Sequence, residues 1–263
     1  MRNVLALLFL VLTGCATASR PLVDVAHAEI VDLTYAFDAN TLYWPNSPYG
    51  FKLEQLAYGP TPGGYFYSSN AYSAPEHGGT HLDAPIHFSA NGVTLDMLPL
   101  QQLIAPAIVL DVTSKAANDS DYRLSADDVR AWEARNGIIP RGTIVLLRTG
   151  WGSRYGNRKA YFGDDTPGAT DKLHFPSYGE EAARLLVNER HVAAIGIDTA
   201  SIDYGASKDF IVHQVANGAN VPGFENVANL DRVPERGAWI IALPMKIANG
   251  SGGPLRIVAL VPR

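Results

Sequence analysis

The sequence is poor in cysteine, the residue that forms disulfides and supplies catalytic thiolates. Cys15 is the only cysteine among 263 residues, so no disulfide can form within one chain. Long basic runs are missing as well. The formal net charge is −5, and the closest basic grouping, Arg154 with Arg158 and Lys159, is short and interrupted. We therefore expect no nucleic-acid partner.

Several catalytic signatures are also absent. The chain contains no HExxH, no G-x-S-x-G nucleophile elbow, no P-loop and no G-x-G-x-x-G fingerprint. A mechanism driven by a serine, a cysteine or a nucleotide therefore lacks its usual motif. The chemistry must come from other residue types, among which histidine and carboxylates form one dense group.

The first fifteen residues resemble an export signal. Arg2 forms a short basic start, the apolar run from Val4 to Leu12 is too short to span a bilayer, and Thr13, Gly14 and Cys15 follow. This pattern resembles the signal peptide and lipobox of bacterial lipoproteins, whose cysteine is lipidated; the alternative is an ordinary secretory signal. We expect a signal peptide over residues 1–14 and a lipid-anchored tether over 15–27. The protein would lie in the bacterial cell envelope, facing the periplasm in a Gram-negative cell.

Residues 28–263 are expected to form one large domain, since 47% of the chain is hydrophobic and only 18% is charged. Apolar runs predict strands at 30–33, 65–72, 107–112, 143–147, 192–197, 239–243 and 255–260. Such apolar strands, alternating with helices in the second half, predict a layered α/β fold with the strands covered on both faces.

Capping patterns predict the helices. Ser125 with Asp128 begins one helix, which ends at Gly137, and Ser177 with Glu180 begins another that runs to about residue 190. A short helix over 210–215 would carry His213. The irregular segment 155–175 is either a functional loop or a plain surface insertion.

One segment, EHGGTHLDAPIHF, concentrates histidine and carboxylate. His77, His81, Asp83 and His87 fall within eleven positions. His81 and Asp83 are two apart, so they project to the same face of an extended segment, and the two glycines before them allow the chain to fold His77 back. Converging imidazoles would repel one another when protonated, whereas a divalent cation compensates them. The cluster therefore predicts a metal site.

The segment from His77 to Phe88 resembles the H-x-G-T-H-x-D-x-P-x-H-F motif of the cyclase family at every fixed position. The similarity extends over most of residues 28–263, including Trp44-Pro45 near the start, PGFEN around Glu225, and ALPMK at 242–246. The resemblance implies a swivelling β/β/α fold, a single domain of layered sheets with flanking helices. It also implies a homodimer.

The resemblance further implies roles for individual residues. Three positions of the motif would hold a divalent metal, Zn²⁺ or Mn²⁺: His77, His81 and Asp83. His87 would act as general base or acid. His213 and Glu225 match positions that complete a second metal, so one or two ions are expected. For His213, a proton relay or a buried structural role is the alternative.

These roles predict a metal-dependent hydrolase that cleaves an aryl amide C–N bond. The substrate would be a formyl-aniline such as N-formylkynurenine or a cyclic amide such as isatin. Trp44, Phe66 and Tyr67 are predicted to contact this flat aromatic molecule. The alternative is a non-catalytic envelope lipoprotein that binds metal or an aromatic solute.

Overall fold

The computed structural model describes residues 24–263. The predicted signal peptide, Cys15 and the first part of the predicted tether lie outside the described residues. Within residues 24–263, every helix is too short or too polar to cross a bilayer.

The described part of the chain contains strands and short helices in alternation. The strands are β1 (Glu29–Asp32), β2 (Lys52–Pro60), β3 (Phe66–Ser73), β4 (His81–Asp83), β5 (Ile104–Asp111), β6 (Arg123–Leu124), β7 (Ile144–Arg148), β8 (Ser177–Tyr178), β9 (Ala194–Ile197), β10 (Gly223–Glu225), β11 (Trp239–Pro244) and β12 (Gly252–Val261). The α-helices are α1 (Leu100–Leu103), α2 (Thr113–Ala116), α3 (Ala126–Asn136), α4 (Arg158–Phe162), α5 (Glu180–Arg184) and α6 (Ile211–Gly218).

Eight of these strands form one mixed sheet in the order β1-β12-β11-β5-β7-β9-β10-β4. Its centre is parallel, because β5, β7, β9 and β10 run in the same direction. β4 pairs antiparallel with β10 and also with the start of β12, which closes the sheet into a barrel-like shape. The predicted single α/β domain is thereby confirmed. The closure brings β4, with its histidine and aspartate, between two distant parts of the chain.

Side-chain alternation along the central strands builds two apolar cores. In β7, Ile144 and Leu146 belong to the core that includes the inner face of the closed sheet, whereas Val145 and Leu147 belong to the core shared with α3, α5 and α6. These four side chains are fully buried. Burial of each contributes about 1.5–3 kcal/mol, so the sheet provides a rigid support for the residues at its edge.

Helix α3 begins and ends where the sequence predicts. The Ser125 hydroxyl accepts a hydrogen bond from the Asp128 N–H, and the Asp128 carboxylate accepts one from the Ser125 N–H. The same carboxylate also accepts hydrogen bonds from Tyr122 and Lys115. Burial alone would raise the pKa of Asp128, but these donors lower it to about 2 from its ordinary value of 3.8. Gly137 ends the helix with a positive φ of 88°.

Replacing Asp128 with asparagine is expected to lower the free energy of unfolding by about 2 kcal/mol at pH 7. A depressed carboxyl pKa contributes stability above the unfolded-state pKa, and this contribution is lost as the pH falls through 2. Urea denaturation at pH 7 and pH 3 measures the effect, which should shrink at the lower pH. Asp127→Asn, on the exposed side of the same turn, is the control. Equal effects of both substitutions would contradict the assignment.

The second predicted helix cap is wrong. Ser177 lies in β8, which pairs with β6, and its hydroxyl donates to the Tyr178 carbonyl. Gly179 therefore precedes α5, and the helix continues into a π-type turn at Leu185–Glu189. The segment 155–175 is not wholly irregular either. It contains α4, and its buried side chains include Tyr161 and Phe175.

Strands β2 and β3 form a separate two-stranded hairpin, in which each strand pairs only with the other within residues 24–263. Strand β3 was predicted, but β2 was not, because apolar and polar residues do not alternate along its sequence. The hairpin leaves large apolar side chains in solvent; Tyr58 is 71% exposed and Phe66 is 61% exposed. A two-stranded sheet by itself is marginal in stability.

Candidate metal centre

Strands β4 and β10 carry the first part of the site. His81 and Asp83 point to one side of β4, while Leu82 between them enters the core. Glu225 on β10 lies directly opposite His81 in the antiparallel pair, so its carboxylate reaches the same face. The His81 Nε2 atom lies 3.2 Å from Asp83 Oδ1 and 3.6 Å from Glu225 Oε2. The predicted extended geometry of His81 and Asp83 is confirmed.

Two glycines bend the backbone so that His77 lies beside these residues. Gly79 has a φ of +56°, a conformation that residues with a Cβ rarely adopt. Gly78 makes room for Tyr43, since a Cβ atom there would lie 2.1 Å from Tyr43 Cδ1. The turn places His77 Nδ1 2.6 Å from Asp83 Oδ1. The chain therefore bends at the predicted glycines.

Helix α6 contributes His213 from the opposite side. Its Nε2 atom lies 3.2 Å from Asp83 Oδ2 and 3.3 Å from Glu225 Oε1. Asp203 holds it there by accepting hydrogen bonds from the backbone N–H groups of Val212 and His213, and it lies 2.7 Å from His213 Nδ1. This buried carboxylate directs the other ring nitrogen toward Asp83 and Glu225.

Asp83 is the centre of the arrangement. Its Oδ1 atom faces His77 and His81, and its Oδ2 atom faces His213. In the described part of the chain, two groups have donor atoms within 4.8 Å of one another, and both include this residue: His77, Asp83 and His87, and His81, Asp83 and Glu225. Imidazole nitrogens with carboxylate oxygens are donors that Zn²⁺ and Mn²⁺ accept. The donor set fits a divalent metal ion.

The pKa values of the site residues also indicate that the site stabilises a cation. Burial would lower the pKa of His81, but Asp83 and Glu225 raise it to about 9. Burial would likewise lower the pKa of His213, yet Asp203, Asp83 and Glu225 hold it well above its ordinary value. The pKa of Asp83 lies well below its usual range, since the neighbouring histidines outweigh its burial. The buried carboxylates thus stabilise positive charge, which a metal ion can supply in place of protons.

His87 differs from the other histidines of the cluster. Its ring stacks on His77 with centroids 3.8 Å apart. Burial lowers its pKa to about 4, with the neighbouring histidines adding to the shift and Asp83 opposing it. The imidazole is therefore neutral at pH 7 and can accept a proton. Because it also falls within one of the two metal-binding groups, its geometry is compatible with either a base or a ligand.

A cavity of about 240 Å³ opens beside these residues. Trp44, which is predicted to contact the substrate, lines it. Phe66 and Tyr67, also predicted to contact substrate, do not line it in this chain. They lie in β3 of the hairpin, where both side chains are exposed to solvent.

Several cavity residues were missed by sequence reasoning. The aromatic members of this set are Tyr43, Phe88, Phe162 and Phe210. Phe88 is the last residue of the histidine motif, and its ring lies 4.5 Å from that of His213. Phe162 belongs to the segment 155–175, which therefore contributes to the cavity rather than only to the surface. Phe210 shows a φ of +49°, a conformation that no sequence pattern indicated.

Comparisons with known proteins identify relatives of this chain. The cyclase family model matches residues 31–204, a range that includes the histidine motif but not His213 or Glu225. An isatin hydrolase from Roseibium aggregatum is 37% identical over 209 residues, covering 76% of this chain and 77% of the relative. A kynurenine formamidase from Paracidovorax citrulli is 31% identical over 200 residues, covering 73% of this chain and 80% of the relative.

A solved structure shows the same fold. Isatin hydrolase A from Ralstonia solanacearum has a TM-score of 0.80 and 36% identity, covering 89% of this chain and 92% of that one. The alternative of a non-catalytic binding lipoprotein has no support among these relatives, whose names are those of enzymes. The chain belongs to the cyclase family of hydrolases.

Proposed function

We propose that this protein is a metal-dependent hydrolase that cleaves the C–N bond of an aryl amide. The observation that carries the proposal is the position of Asp83, whose two oxygens face separate sets of donors beside an aromatic cavity. Such a site can hold an ion and a flat substrate side by side. The relatives named isatin hydrolase and kynurenine formamidase support this reaction class.

One ion, Zn²⁺ or Mn²⁺, would be held by His77, His81 and Asp83. A second would be held by Asp83, His213 and Glu225, whose donor atoms converge from the other side. When bound, the metal lowers the pKa of a water molecule and polarises a carbonyl group. The protein keeps these donors in place through the closed sheet and through the Asp203 carboxylate.

His87 is the proposed proton carrier. Its imidazole is neutral at pH 7, lines the cavity, and lies against His77. It would accept a proton from the attacking water and donate it to the leaving aryl nitrogen. The aromatic walls formed by Trp44, Phe162 and Phe210 would hold the ring of the substrate and exclude bulk water.

The cavity lining favours an uncharged substrate. Among the described residues, neither lysine nor arginine lines it, so no cationic side chain remains for a substrate carboxylate once the histidines hold metal. N-Formylkynurenine carries an amino-acid group with a carboxylate, whereas isatin is neutral and flat. We therefore propose that a cyclic amide such as isatin is the better substrate.

The metal-loaded protein is expected to hydrolyse isatin with a higher kcat/KM than N-formylkynurenine. Both substrates should be assayed side by side with Zn²⁺ and with Mn²⁺, after removal of metal with a chelator. Chelated protein should be inactive until the ion is restored. Absence of turnover of both substrates by metal-loaded protein would refute the proposed reaction class, while preference for N-formylkynurenine would refute only the substrate assignment.

We also propose a homodimer, with the swivelling β/β/α description for each subunit. The exposed apolar hairpin supports assembly, since Leu53, Leu56, Tyr58 and Phe66 would otherwise face water. Sedimentation of the purified protein tests this proposal, and a monomer at micromolar concentration would contradict it.

Lipidation of Cys15 and attachment to the cell envelope are proposed on the N-terminal sequence alone. Detergent phase partitioning of the intact chain and of Cys15→Ser tests the anchor. Equal partitioning of the two proteins into the aqueous phase would contradict it.

A further inference from the structure

The glycine-rich turn GSGG at residues 250–253 packs against the proposed metal centre. A Cβ atom at Gly252 would lie 2.5 Å from His77 Cε1 and 2.7 Å from the Leu82 carbonyl oxygen. One at Gly250 would lie 3.0 Å from Glu76 Oε1. The turn can approach His77 this closely only because glycine occupies position 252, and it thereby inserts Ser251 between Glu76 and His77.

Backbone hydrogen bonds hold the turn in this position. The Ala84 N–H donates to the Ser251 carbonyl at 2.8 Å, and the Leu95 N–H donates to the Gly250 carbonyl at 2.9 Å. The Ser251 N–H donates to Glu76 Oε2 at 3.0 Å. The serine side chain is therefore placed by the backbone on both sides, independently of its own hydroxyl contacts.

The Ser251 hydroxyl joins two groups that are adjacent in sequence. Its Oγ atom lies 2.6 Å from Glu76 Oε2 and 2.9 Å from His77 Nε2. A hydroxyl has one proton to donate, and a carboxylate can only accept. The Ser251 proton therefore goes to Glu76, so Oγ must accept a hydrogen bond from His77 Nε2–H.

The hydrogen bond with Ser251 occupies Nε2, so Nδ1 is the nitrogen of His77 that can face a metal ion. Without the ion, Nδ1 lies 2.6 Å from Asp83 Oδ1 and donates a hydrogen bond to this carboxylate; an ion would take the place of that proton and leave the lone pair of Nδ1 as the ligand. A metal ligand must present a lone pair to the ion, and a hydrogen bond at the other ring nitrogen fixes the tautomer and the orientation of the ring.

We propose that Ser251, oriented by Glu76, is a positioning residue that fixes the Nε2–H tautomer of His77 and so increases the affinity of the site for metal. This inference rests on the proposed metal centre. Neither Glu76 nor Ser251 lines the cavity, so both act through His77 and not on substrate.

The other two histidines of the site are held by simpler partners. His81 Nδ1 lies 3.0 Å from the Gly79 carbonyl oxygen, and His213 Nδ1 lies 2.7 Å from the Asp203 carboxylate. Both partners are fixed acceptors. At His77 the acceptor is a hydroxyl that could also donate, and Glu76 is the group that prevents this reversal. Loss of either Glu76 or Ser251 should therefore weaken the same ligand.

The test measures metal affinity of the full chain without substrate. Metal-free protein is titrated with Zn²⁺ against a chromogenic chelator, and Co²⁺ absorption reports the ligand set. Ser251→Ala is expected to bind about 10- to 100-fold more weakly than the unmodified protein. Glu76→Gln should show a similar loss, since its amide can donate to Ser251 and reverse the hydroxyl. Ser251→Thr should restore affinity to within a few-fold, and Ser153→Ala, on the surface, should have no effect.

A merely structural role gives a different result. It would lower the thermal unfolding midpoint of metal-free Ser251→Ala while leaving its Zn²⁺ affinity unchanged, and this outcome overturns the proposal. Equal losses in Ser251→Ala and Ser251→Thr overturn it as well. If the unmodified protein binds neither Zn²⁺ nor Co²⁺, the metal centre itself fails along with this inference. If the unmodified protein binds metal and Ser251→Ala binds it equally well, only the inference fails.

Discussion

Asp83→Asn is expected to abolish metal binding and to reduce hydrolysis by roughly 10⁴-fold, since several kcal/mol of transition-state stabilisation depend on the ion. The carboxylate faces both donor sets, with Oδ1 toward His77 and His81 and Oδ2 toward His213. An asparagine amide offers one oxygen ligand and no charge. The substitution therefore removes a ligand and also the charge that stabilises the cation.

Metal content by mass spectrometry and kcat/KM for isatin measure the effect of Asp83→Asn. Asp165→Asn, the same substitution in an exposed loop, is the matched control. Near-ultraviolet circular dichroism of the metal-free proteins verifies that both remain folded. A folded Asp83→Asn protein that keeps its metal and a rate within tenfold of the unmodified enzyme would show that Asp83 is not the central ligand.

His87→Ala is expected to lower kcat by about 10²- to 10⁴-fold, the usual contribution of a general acid–base group, while metal content stays constant. We expect kcat to fall without loss of metal because of the environment of His87. Its pKa of about 4 leaves it neutral, and it lines the cavity where substrate must lie. A group that only transfers protons can be removed without releasing the ion.

Because His87 stacks on His77, the metal content of His87→Ala distinguishes a general base from a metal ligand. His87 belongs to one of the two groups able to hold an ion, so loss of metal in His87→Ala would show that it is a ligand. His174→Ala provides the control, because His174 lies at the surface beside Asp121 and away from the cavity. Its kcat and metal content should match those of the unmodified protein.

Local sequence patterns predicted those parts of the site that depend on neighbours in the chain. The spacing of His81 and Asp83 placed both on one face of a strand, and the glycines before them indicated the bend that returns His77. The capping box at Ser125 was equally local, and it is present as predicted. In each case a few adjacent residues determine the geometry, so a single sequence contains the necessary information.

Features that depend on pairing between distant segments were not predictable in this way. Glu225 reaches the site because β10 pairs with β4 in a register that sets it opposite His81. Asp203 meets His213 through the start of α6, and no motif marks it. Ser177 carries a capping pattern but is instead paired with β6. The exposure of Phe66 also depends on where the hairpin lies relative to the rest of the domain. The aromatic composition of β3 does not indicate this position.

The close contact between Gly78 and Tyr43 has a consequence for how such an enzyme can acquire new substrates. Any side chain at Gly78 would displace the Tyr43 ring, although the residue itself contributes no ligand. Phe162, in contrast, lines the cavity from a segment that carries none of the proposed metal ligands. Substitutions there can reshape the aromatic wall without moving the metal-binding loop. New substrate specificity can therefore evolve by substitution in the aromatic wall, whereas substitution of Gly78 would disturb the loop that carries His77.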